Sequence, residues 1–316
     1  MPTLPPPDQP VHTPVFDLPL VISTPHSSGF VPHDVLFEML GSKASDISTR
    51  ERFLAYLFHE GDPYTDVMFH VPGACHLHAL TSRFVVDLNR ERHLSGENGV
   101  IKLTDFSKRP LYPEGYTLTA EKAEDRLRRY WDPYHQTYAE LLAQDHVQFF
   151  IDGHSMAPFG PKIGPDHGKP RPAFTLMTGG DTRGEAVDGQ ATTIPGHLAR
   201  AVAEKLEHHF RDYLANFADV PADVRINDPW PSAAISRRYS SFESATPKPG
   251  FSLEINRALY LTPREDGLSD VIPGSVETIN QRFVAFVQDI MPLFGIDEKI
   301  SEEMTNDTKQ VVARAS

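Results

Sequence analysis

Length, composition and charge exclude several classes of protein. The 316 residues are 40% hydrophobic and 10% aromatic, which is enough to fill a core and argues against disordered or fibrous architectures. A net charge of -13 repels phosphate backbones and disfavours a nucleic-acid partner. The single cysteine, Cys75, rules out an intramolecular disulfide and any cysteine-rich zinc module, so metal ligands must come from His and carboxylates.

The N-terminal sequence and the apolar runs bear on location. No Lys or Arg precedes Lys43, so the start lacks the charged region of a signal peptide. No apolar run approaches the ~18 residues that a membrane span needs. We therefore predict a soluble cytoplasmic protein without a membrane partner.

Short apolar runs bounded by turn residues predict buried strands. These runs cover residues 18–23, 75–80, 84–88, 147–151, 174–178, 223–227 and 251–256. Helical spacing lies between them, with Thr49 as predicted N-cap of a helix over 50–60 and Thr119 as N-cap of a helix to about Asp145. Pro195 is predicted in the first turn of a third helix, and Ser275 caps a fourth.

The alternation of strands and helices indicates an α/β sheet covered on both faces. We predict a single domain over residues 15–296, preceded by a flexible proline-rich arm over 1–14 and followed by a polar tail over 297–316. In such sheets, reactive side chains lie in loops just past the carboxyl ends of the strands.

Three of the predicted strands end in polar clusters. His26 comes after the first strand, His154 comes after the fourth, and the last strand carries Glu254. Two histidines and a carboxylate are a usual ligand set for catalytic zinc, and Asp62 and Asp66 are both candidates for the acid. Histidines at strand ends are more often ordinary hydrogen-bonded residues, which is the competing interpretation.

The segment that contains His154 also suggests a serine nucleophile. Residues 153–157, GHSMA, approximate the G-x-S-x-G turn that exposes a catalytic serine. That turn must lead directly into a helix, whereas the residues from Pro158 to Pro165 include three prolines and two glycines. No histidine follows His209 to complete a triad, so this alternative is disfavoured.

Several arginines are candidates for binding an anionic substrate. Arg83 and the pair Asn89-Arg90 flank the predicted strand over 84–88, and Arg237-Arg238 follow the strand over 223–227. A guanidinium can hold a carboxylate through two hydrogen bonds, which suits an amino-acid or dicarboxylate substrate. The alternative is that these arginines form ion pairs with neighbouring acids on the surface.

An ordered set of motifs resembles the N-formylglutamate amidohydrolase family. The matching segments lie between about residues 18 and 262 and read PLVISTPHSSGFVP, GDPYTDVMF, SRFVVDLNR, LYPEGYTLT, YWDPYH, FFIDGHSM, NDPWPSAAISRRY and FSLEINRALY. The resemblance implies a three-layer α/β/α fold with a mixed, mostly parallel sheet, of the phosphorylase/hydrolase-like kind found in zinc carboxypeptidases. It also implies hydrolysis of N-formyl-L-glutamate to formate and L-glutamate, as in histidine degradation.

The resemblance also assigns roles to residues. It implies one zinc ion, or another divalent metal, held by His26, His154 and an acid, for which it favours Asp62. It further implies that Glu254 is the general base.

The same resemblance implies that Asn89 and Arg90 hold the substrate α-carboxylate. Arg237 or Arg238 would then hold the side-chain carboxylate, and Arg83 would stabilise the oxyanion.

Two departures from the family pattern concern the ligands and the substrate. The spacing H-x-x-E, typical of zinc carboxypeptidases, is absent, and the Gly/Pro/Lys-rich segment 158–172 is longer than is usual in the family. The alternative functions are hydrolysis of another N-acyl amino acid, hydrolysis of a peptidoglycan-type amide, and metal-free binding of an anionic amino acid.

Overall fold

The computed structural model describes residues 11–13, 16–240 and 244–296. Most of the predicted arm and the whole predicted tail lie outside these residues. Within the arm, Val11–His12 (β1) pairs antiparallel with Cys75–His78 (β3), which differs from the unpaired arm expected from the proline content. The division into arm, domain and tail otherwise stays a prediction.

A seven-stranded mixed sheet forms the centre of the molecule. Its further strands are Leu20–Thr24 (β2), Phe149–Met156 (β4), Phe174–Met177 (β5), Val224–Ile226 (β6) and Gly250–Asn256 (β7). The strand order is β1-β3-β2-β4-β7-β5-β6, and β3, β2, β4 and β7 run parallel to one another. Strand β5 is antiparallel to β7 and parallel to β6. Leu261–Pro263 (β8) and Ser269–Val271 (β9) form a separate hairpin.

Helices cover both faces of the sheet. They are His33–Leu40 (α1), Ile47–Glu60 (α2), Thr65–Met68 (α3), Ala120–Arg126 (α4), Asp132–Leu142 (α5), Gly196–Leu214 (α6), Ala234–Ser240 (α7) and Ser275–Ile290 (α8). A π-helical segment, Leu127–Trp131, joins α4 to α5.

Alternating side chains along the buried strands create two hydrophobic cores. Leu20 and Ile22 of β2 pack into the core that contains α6 and α8, whereas Val21 between them packs into the core that contains α1, α5 and α7. Both faces of the strands are buried, which explains why the strands read as continuous apolar runs. The predicted three-layer α/β/α architecture is confirmed.

The predicted strand over residues 84–88 is wrong, because this segment is a buried loop. Val85 donates its backbone N–H to the carbonyl of Ser82, and Asp87 donates its own to Val100, so turns satisfy the backbone without a strand partner. The segment is apolar because it is buried beneath other segments, and a buried loop can be as apolar as a buried strand.

Two helix starts also differ from the sequence expectation. Asp46, not Thr49, caps α2, and its carboxylate accepts a hydrogen bond from the Thr49 N–H at 2.8 Å. Helix α8 begins at Ser275, but its N-cap is Gly274, and the Ser275 hydroxyl bonds the carbonyl of Ile272 instead. The predicted cap at Thr119 is confirmed. No helix in the described part of the chain has the length and apolar character needed to cross a membrane.

Candidate metal centre

The carboxyl ends of three parallel strands bring the candidate residues together. His26 lies two residues beyond the end of β2, and His154 lies in β4. Glu254 of β7 is the register partner of His154 across the sheet. The three side chains therefore converge on one edge of the sheet, as the rule for open α/β sheets predicts.

Two imidazoles and one carboxylate form a compact triangle. Asp62 Oδ2 lies 3.1 Å from His26 Nδ1 and 3.1 Å from His154 Nδ1, and the two Nδ1 atoms are 3.2 Å apart. All three residues are buried. Bonds of about 2.0–2.1 Å to a tetrahedral zinc ion give a separation of roughly 3.3 Å between ligand atoms. The spacing of the three atoms thus fits a single small cation.

The Nε2 atoms of both histidines contact carboxylates, and these contacts show whether the histidines suit a bound metal. His26 Nε2 lies 2.9 Å from Asp87 Oδ1, and His154 Nε2 lies 2.7 Å from Asp152 Oδ2. A proton on each Nε2 satisfies these contacts and leaves each Nδ1 with a lone pair. Carboxylates placed in this way orient metal-ligating histidines and raise their basicity. The donor set therefore fits a bound divalent metal.

Buried charge supports the same fit. Arg83 donates to Asp62 Oδ1 at 3.2 Å and to Asp87 Oδ2 at 3.0 Å, and Lys102 Nζ lies 3.3 Å from Asp87. Asp152 and Glu254 add two further carboxylates to this cluster, so its acidic side chains outnumber Arg83 and Lys102 by four to two. Buried charges need compensation, and a divalent cation would supply it.

Glu254 has the environment of a group that exchanges protons near neutral pH. Burial and the charge of Asp62 raise the pKa of Glu254 to about 7, against the opposing influence of His154 and Arg83. Its Oε2 atom is buried and has no hydrogen-bond partner among the described residues. A carboxylate with this pKa and an unused acceptor suits a general base.

The other ionisable groups of the centre shift in opposite directions. Burial opposes ionisation of Asp62, but the positive charge of Arg83, which donates to Asp62 Oδ1, holds the pKa of Asp62 below its usual range. Burial lowers the pKa of His154, yet the charge and hydrogen bond of Asp152 outweigh it and leave that pKa above its usual value. Burial lowers the pKa of Lys102 to about 8 despite the nearby charge of Asp87.

A cavity of about 550 Å³ opens beside the triangle. Most of the predicted site residues line it: His26, Asp62, Arg83, Asn89, Arg90, His154, Arg237 and Glu254. Arg238 is not among the lining residues; it pairs with Glu91 and lies 5.0 Å over the ring of Trp131. Arg237 also pairs with Glu91, at 3.6 Å, but it lines the cavity, so of the two arginines it is the one that a molecule in the cavity can contact.

The structure also distinguishes the two candidate acids. The Asp62 N–H donates to the carbonyl of His26 at 3.1 Å, which fixes the end of α2 against the end of β2. Asp66 lies in the first turn of α3, outside the potential ligand group found among the described residues, and its charge acts on His78. The geometry thus favours Asp62 as the third ligand.

Asn89 and Arg90 have partners within the protein. Asn89 Oδ1 accepts the Ile235 N–H at 3.0 Å, and the Asn89 backbone N–H donates to Asp87 Oδ1 at 3.1 Å. Arg90 donates to the carbonyls of Asn89 and Asn98, and its positive charge lowers the pKa of Asp87. A substrate carboxylate could pair with the guanidinium of Arg90.

The serine-nucleophile alternative does not fit the fold. Ser155 lies inside β4, which continues to Met156, and no helix follows directly. A nucleophile turn needs a sharp strand-to-helix junction, which this segment lacks.

Sequence reasoning missed the carboxylates that orient the histidines. Asp152 precedes His154 by two residues, a spacing that puts both side chains on one face of a strand and could have revealed it. Asp87 was missed because the segment over residues 84–88 was predicted to be a strand. Lys102 carries no sequence signal, because a lone lysine between apolar residues is ordinarily exposed.

A family model for N-formylglutamate amidohydrolases matches residues 18–261, most of the chain. The chain belongs to the N-formylglutamate amidohydrolase family. A relative from Pseudomonas aeruginosa, N-formylglutamate deformylase, is 35% identical over 127 residues, which cover 34% of this chain and 48% of the relative. The match thus spans about half the length of that relative.

Solved structures support the fold. N-formylglutamate amidohydrolase from Ralstonia eutropha JMP134 superposes with a TM-score of 0.62 at 19% identity, over 95% of this chain and 99% of the other. The Agrobacterium tumefaciens gene product Atu2144 superposes with a TM-score of 0.51 at 15% identity, over 93% of each chain. At these identities the two structures establish the shared architecture.

Proposed function

We propose that this family member hydrolyses N-formyl-L-glutamate to formate and L-glutamate, using one divalent metal ion held by His26, Asp62 and His154. The triangle of two Nδ1 atoms and one carboxylate oxygen is the observation that carries the proposal. The family match, the adjacent cavity and the unpartnered Glu254 support it. Zinc is the first candidate, although the same ligands accept other divalent metals.

When bound, zinc would lower the pKa of a coordinated water from 15.7 towards ~7 and polarise the amide carbonyl. Glu254 would accept the water proton and return it to the leaving nitrogen, which needs protonation because an amide anion is a poor leaving group. Such transfer contributes roughly 100-fold to 10,000-fold to the rate. The Oε2 atom of Glu254, which has no hydrogen-bond partner among the described residues, is available for this exchange.

The arginines would position the substrate and stabilise developing charge. Arg83 lines the cavity and is held by Asp62 and Asp87, so its guanidinium would stabilise the oxyanion. One well-placed donor contributes about 3–4 kcal/mol to transition-state stabilisation. Arg90 would hold the α-carboxylate beside Asn89, and Arg237 the side-chain carboxylate. Fixing both ends would hold the amide over the metal.

The test is release of formate and glutamate by protein of known metal content, repeated after chelation and after zinc is restored. We expect activity to disappear with the chelator and to return with zinc. His154→Ala should lose metal and activity together. A fully metallated protein that leaves N-formyl-L-glutamate intact would refute this substrate, and a His154→Ala variant with stoichiometric zinc would refute the ligand assignment. The role in histidine degradation and the cytoplasmic location stay predictions.

A further inference from the structure

The loop over residues 158–172, which follows His154 along the chain, has a fixed conformation. Gly160 donates to the carbonyl of Lys169 at 3.0 Å, and Gly168 donates back to Gly160 at 2.9 Å. A Cβ at Gly160 would lie 2.1 Å from the Asp166 carbonyl oxygen, so the close approach of these segments requires glycine. The loop is therefore a preformed wall.

A buried arginine fastens this loop to Trp230, which lies outside the loop. Arg171 is 3% exposed and binds Asp166 through Nε at 2.7 Å and Nη2 at 3.0 Å. Its guanidinium lies 4.3 Å over the ring of Trp230, which also lines the cavity. A bidentate pair combined with a cation–π contact holds both segments in place.

The side chains that this loop presents to the cavity are apolar, apart from Arg171, whose guanidinium is bound to Asp166. We call the group that lines the cavity from the loop and from Trp230 the apolar wall; it comprises Phe159, Pro161, Ile163, Pro165 and Trp230. Phe159 is 58% exposed, although a phenylalanine gains free energy when it is buried. An exposed aromatic residue on a rigid wall beside a polar centre is typical of a ligand-contacting surface.

From this wall we infer that the preferred substrates are N-acyl derivatives of glutamate, or of a similar anionic amino acid, whose acyl group is apolar and several carbons long. The inference rests on the proposed hydrolytic function. Arg90 and Arg237 suit the carboxylates of the amino acid, which leaves the apolar wall for the acyl group. The formyl group has one carbon and no apolar surface to bury, so it makes no use of such a wall.

The size of the cavity agrees with this substrate class. At about 550 Å³ it falls in the range of about 300–1,000 Å³ that holds drug-sized ligands. The reaction stays balanced: the C–N bond breaks, a C–O bond forms with water, and the water proton goes to the nitrogen. The products are a short carboxylic acid and the free amino acid.

The test compares kcat/KM for N-acetyl-, N-butanoyl- and N-hexanoyl-L-glutamate on the zinc-loaded protein, with N-formyl-L-glutamate as reference. The alkyl amides have similar intrinsic reactivity, so their ratios report binding of the acyl chain. Each added methylene that contacts the apolar wall should raise kcat/KM by about 4-fold. A flat or falling series would overturn the inference.

A substitution in the apolar wall tests whether the wall causes the dependence of kcat/KM on acyl-chain length. Phe159→Ala should lower the ratio of kcat/KM for the hexanoyl over the acetyl substrate by about 10-fold. Val187→Ala removes side-chain atoms from a valine that is 42% exposed and lies outside the cavity lining, and it should keep the wild-type ratio. An equal ratio in the wild type and in Phe159→Ala would remove Phe159 from substrate recognition.

The outcomes separate this inference from the proposed function. Turnover of N-formyl-L-glutamate with no gain along the alkyl series refutes the inference alone. A rising series without formyl turnover supports the wall and refutes the formyl substrate. If nothing is hydrolysed, calorimetric binding of the formyl and hexanoyl compounds decides: tighter hexanoyl binding that Phe159→Ala abolishes supports the wall, and equal affinities refute it.

Discussion

At the scale of single residues, Glu254 combines three properties of a proton-transfer group. It lines the cavity, its Oε2 has no hydrogen-bond partner among the described residues, and its pKa is raised to about 7 by burial and by Asp62. The carboxylates that orient the histidines lack this freedom, since Asp87 and Asp152 each accept several hydrogen bonds. Glu254 is thus available for proton transfer, whereas Asp87 and Asp152 orient the two histidines.

Replacing Glu254 by Gln should abolish proton transfer and leave the metal in place. The amide keeps the shape of the side chain but cannot accept a proton, so we expect kcat to fall by about 100-fold to 10,000-fold. Steady-state kinetics together with a zinc assay would measure both effects. Near-normal turnover would remove Glu254 from the mechanism.

Asp152→Asn tests the orientation of His154. Asp152 accepts hydrogen bonds from Ser23 at 2.8 Å and from Ser252 at 3.2 Å, so the isosteric amide can keep part of this network. Loss of the carboxylate charge beside Nε2 should weaken zinc binding by roughly 10-fold to 100-fold. Competition with a chelator of known affinity would measure the change.

The matched control is Asp125→Asn, which removes one charge from a surface ion pair with Arg128. Its zinc affinity should equal that of the wild type. If Asp152→Asn also bound zinc normally, His154 would owe its orientation to other contacts.

At the scale of elements, strand β4 is closely packed against α3. A Cβ at Gly153 would lie 2.4 Å from the ring of Phe69, which itself packs edge-on against Phe283 of α8. The strand that carries Asp152 and His154 therefore depends on a glycine between them. This dependence is a property of packing and is independent of any ligand.

Gly153→Ala should destabilise the fold by about 1–3 kcal/mol, because the added methyl group overpacks a full core. Denaturant unfolding of metal-free protein would measure the loss. The double variant Gly153→Ala/Phe69→Leu should recover part of it by giving the methyl group room. A single variant as stable as the wild type would show that Phe69 can move at no cost.

The sequence predicted the elements whose signals are local. Strands β2, β4 and β7 were recognisable because both of their faces are buried, and from their ends His26, His154 and Glu254 followed. The segment over residues 84–88 was wrongly predicted to be a strand for the same reason, because burial gives loops and strands a similar apolar composition. The choice of Asp62 over Asp66 depends on how α2 meets β2, a contact between distant segments that no local pattern encodes.

At the scale of the whole molecule, the topology concentrates charge at one edge of the sheet. The helical layers bury apolar surface on both faces, whereas the parallel strands β2, β4 and β7 direct their carboxyl ends to the same cluster. That cluster places four carboxylates, Asp62, Asp87, Asp152 and Glu254, around Arg83, Lys102 and two imidazoles. Part of the folding free energy should therefore depend on a bound cation, because like charges in a buried site repel one another.

Removal of metal should accordingly lower the melting temperature. A ligand that binds only the folded state at 1,000 times its Kd stabilises it by about 4 kcal/mol. For a chain of this size the unfolding entropy is about 0.7 kcal/mol per K, so such a change corresponds to a decrease in Tm of roughly 6 °C on chelation. Scanning calorimetry of zinc-loaded and chelated protein would measure it, and in His154→Ala neither zinc nor chelator should shift Tm. A wild-type Tm that changes with neither zinc nor chelator would contradict a metal bound at this centre.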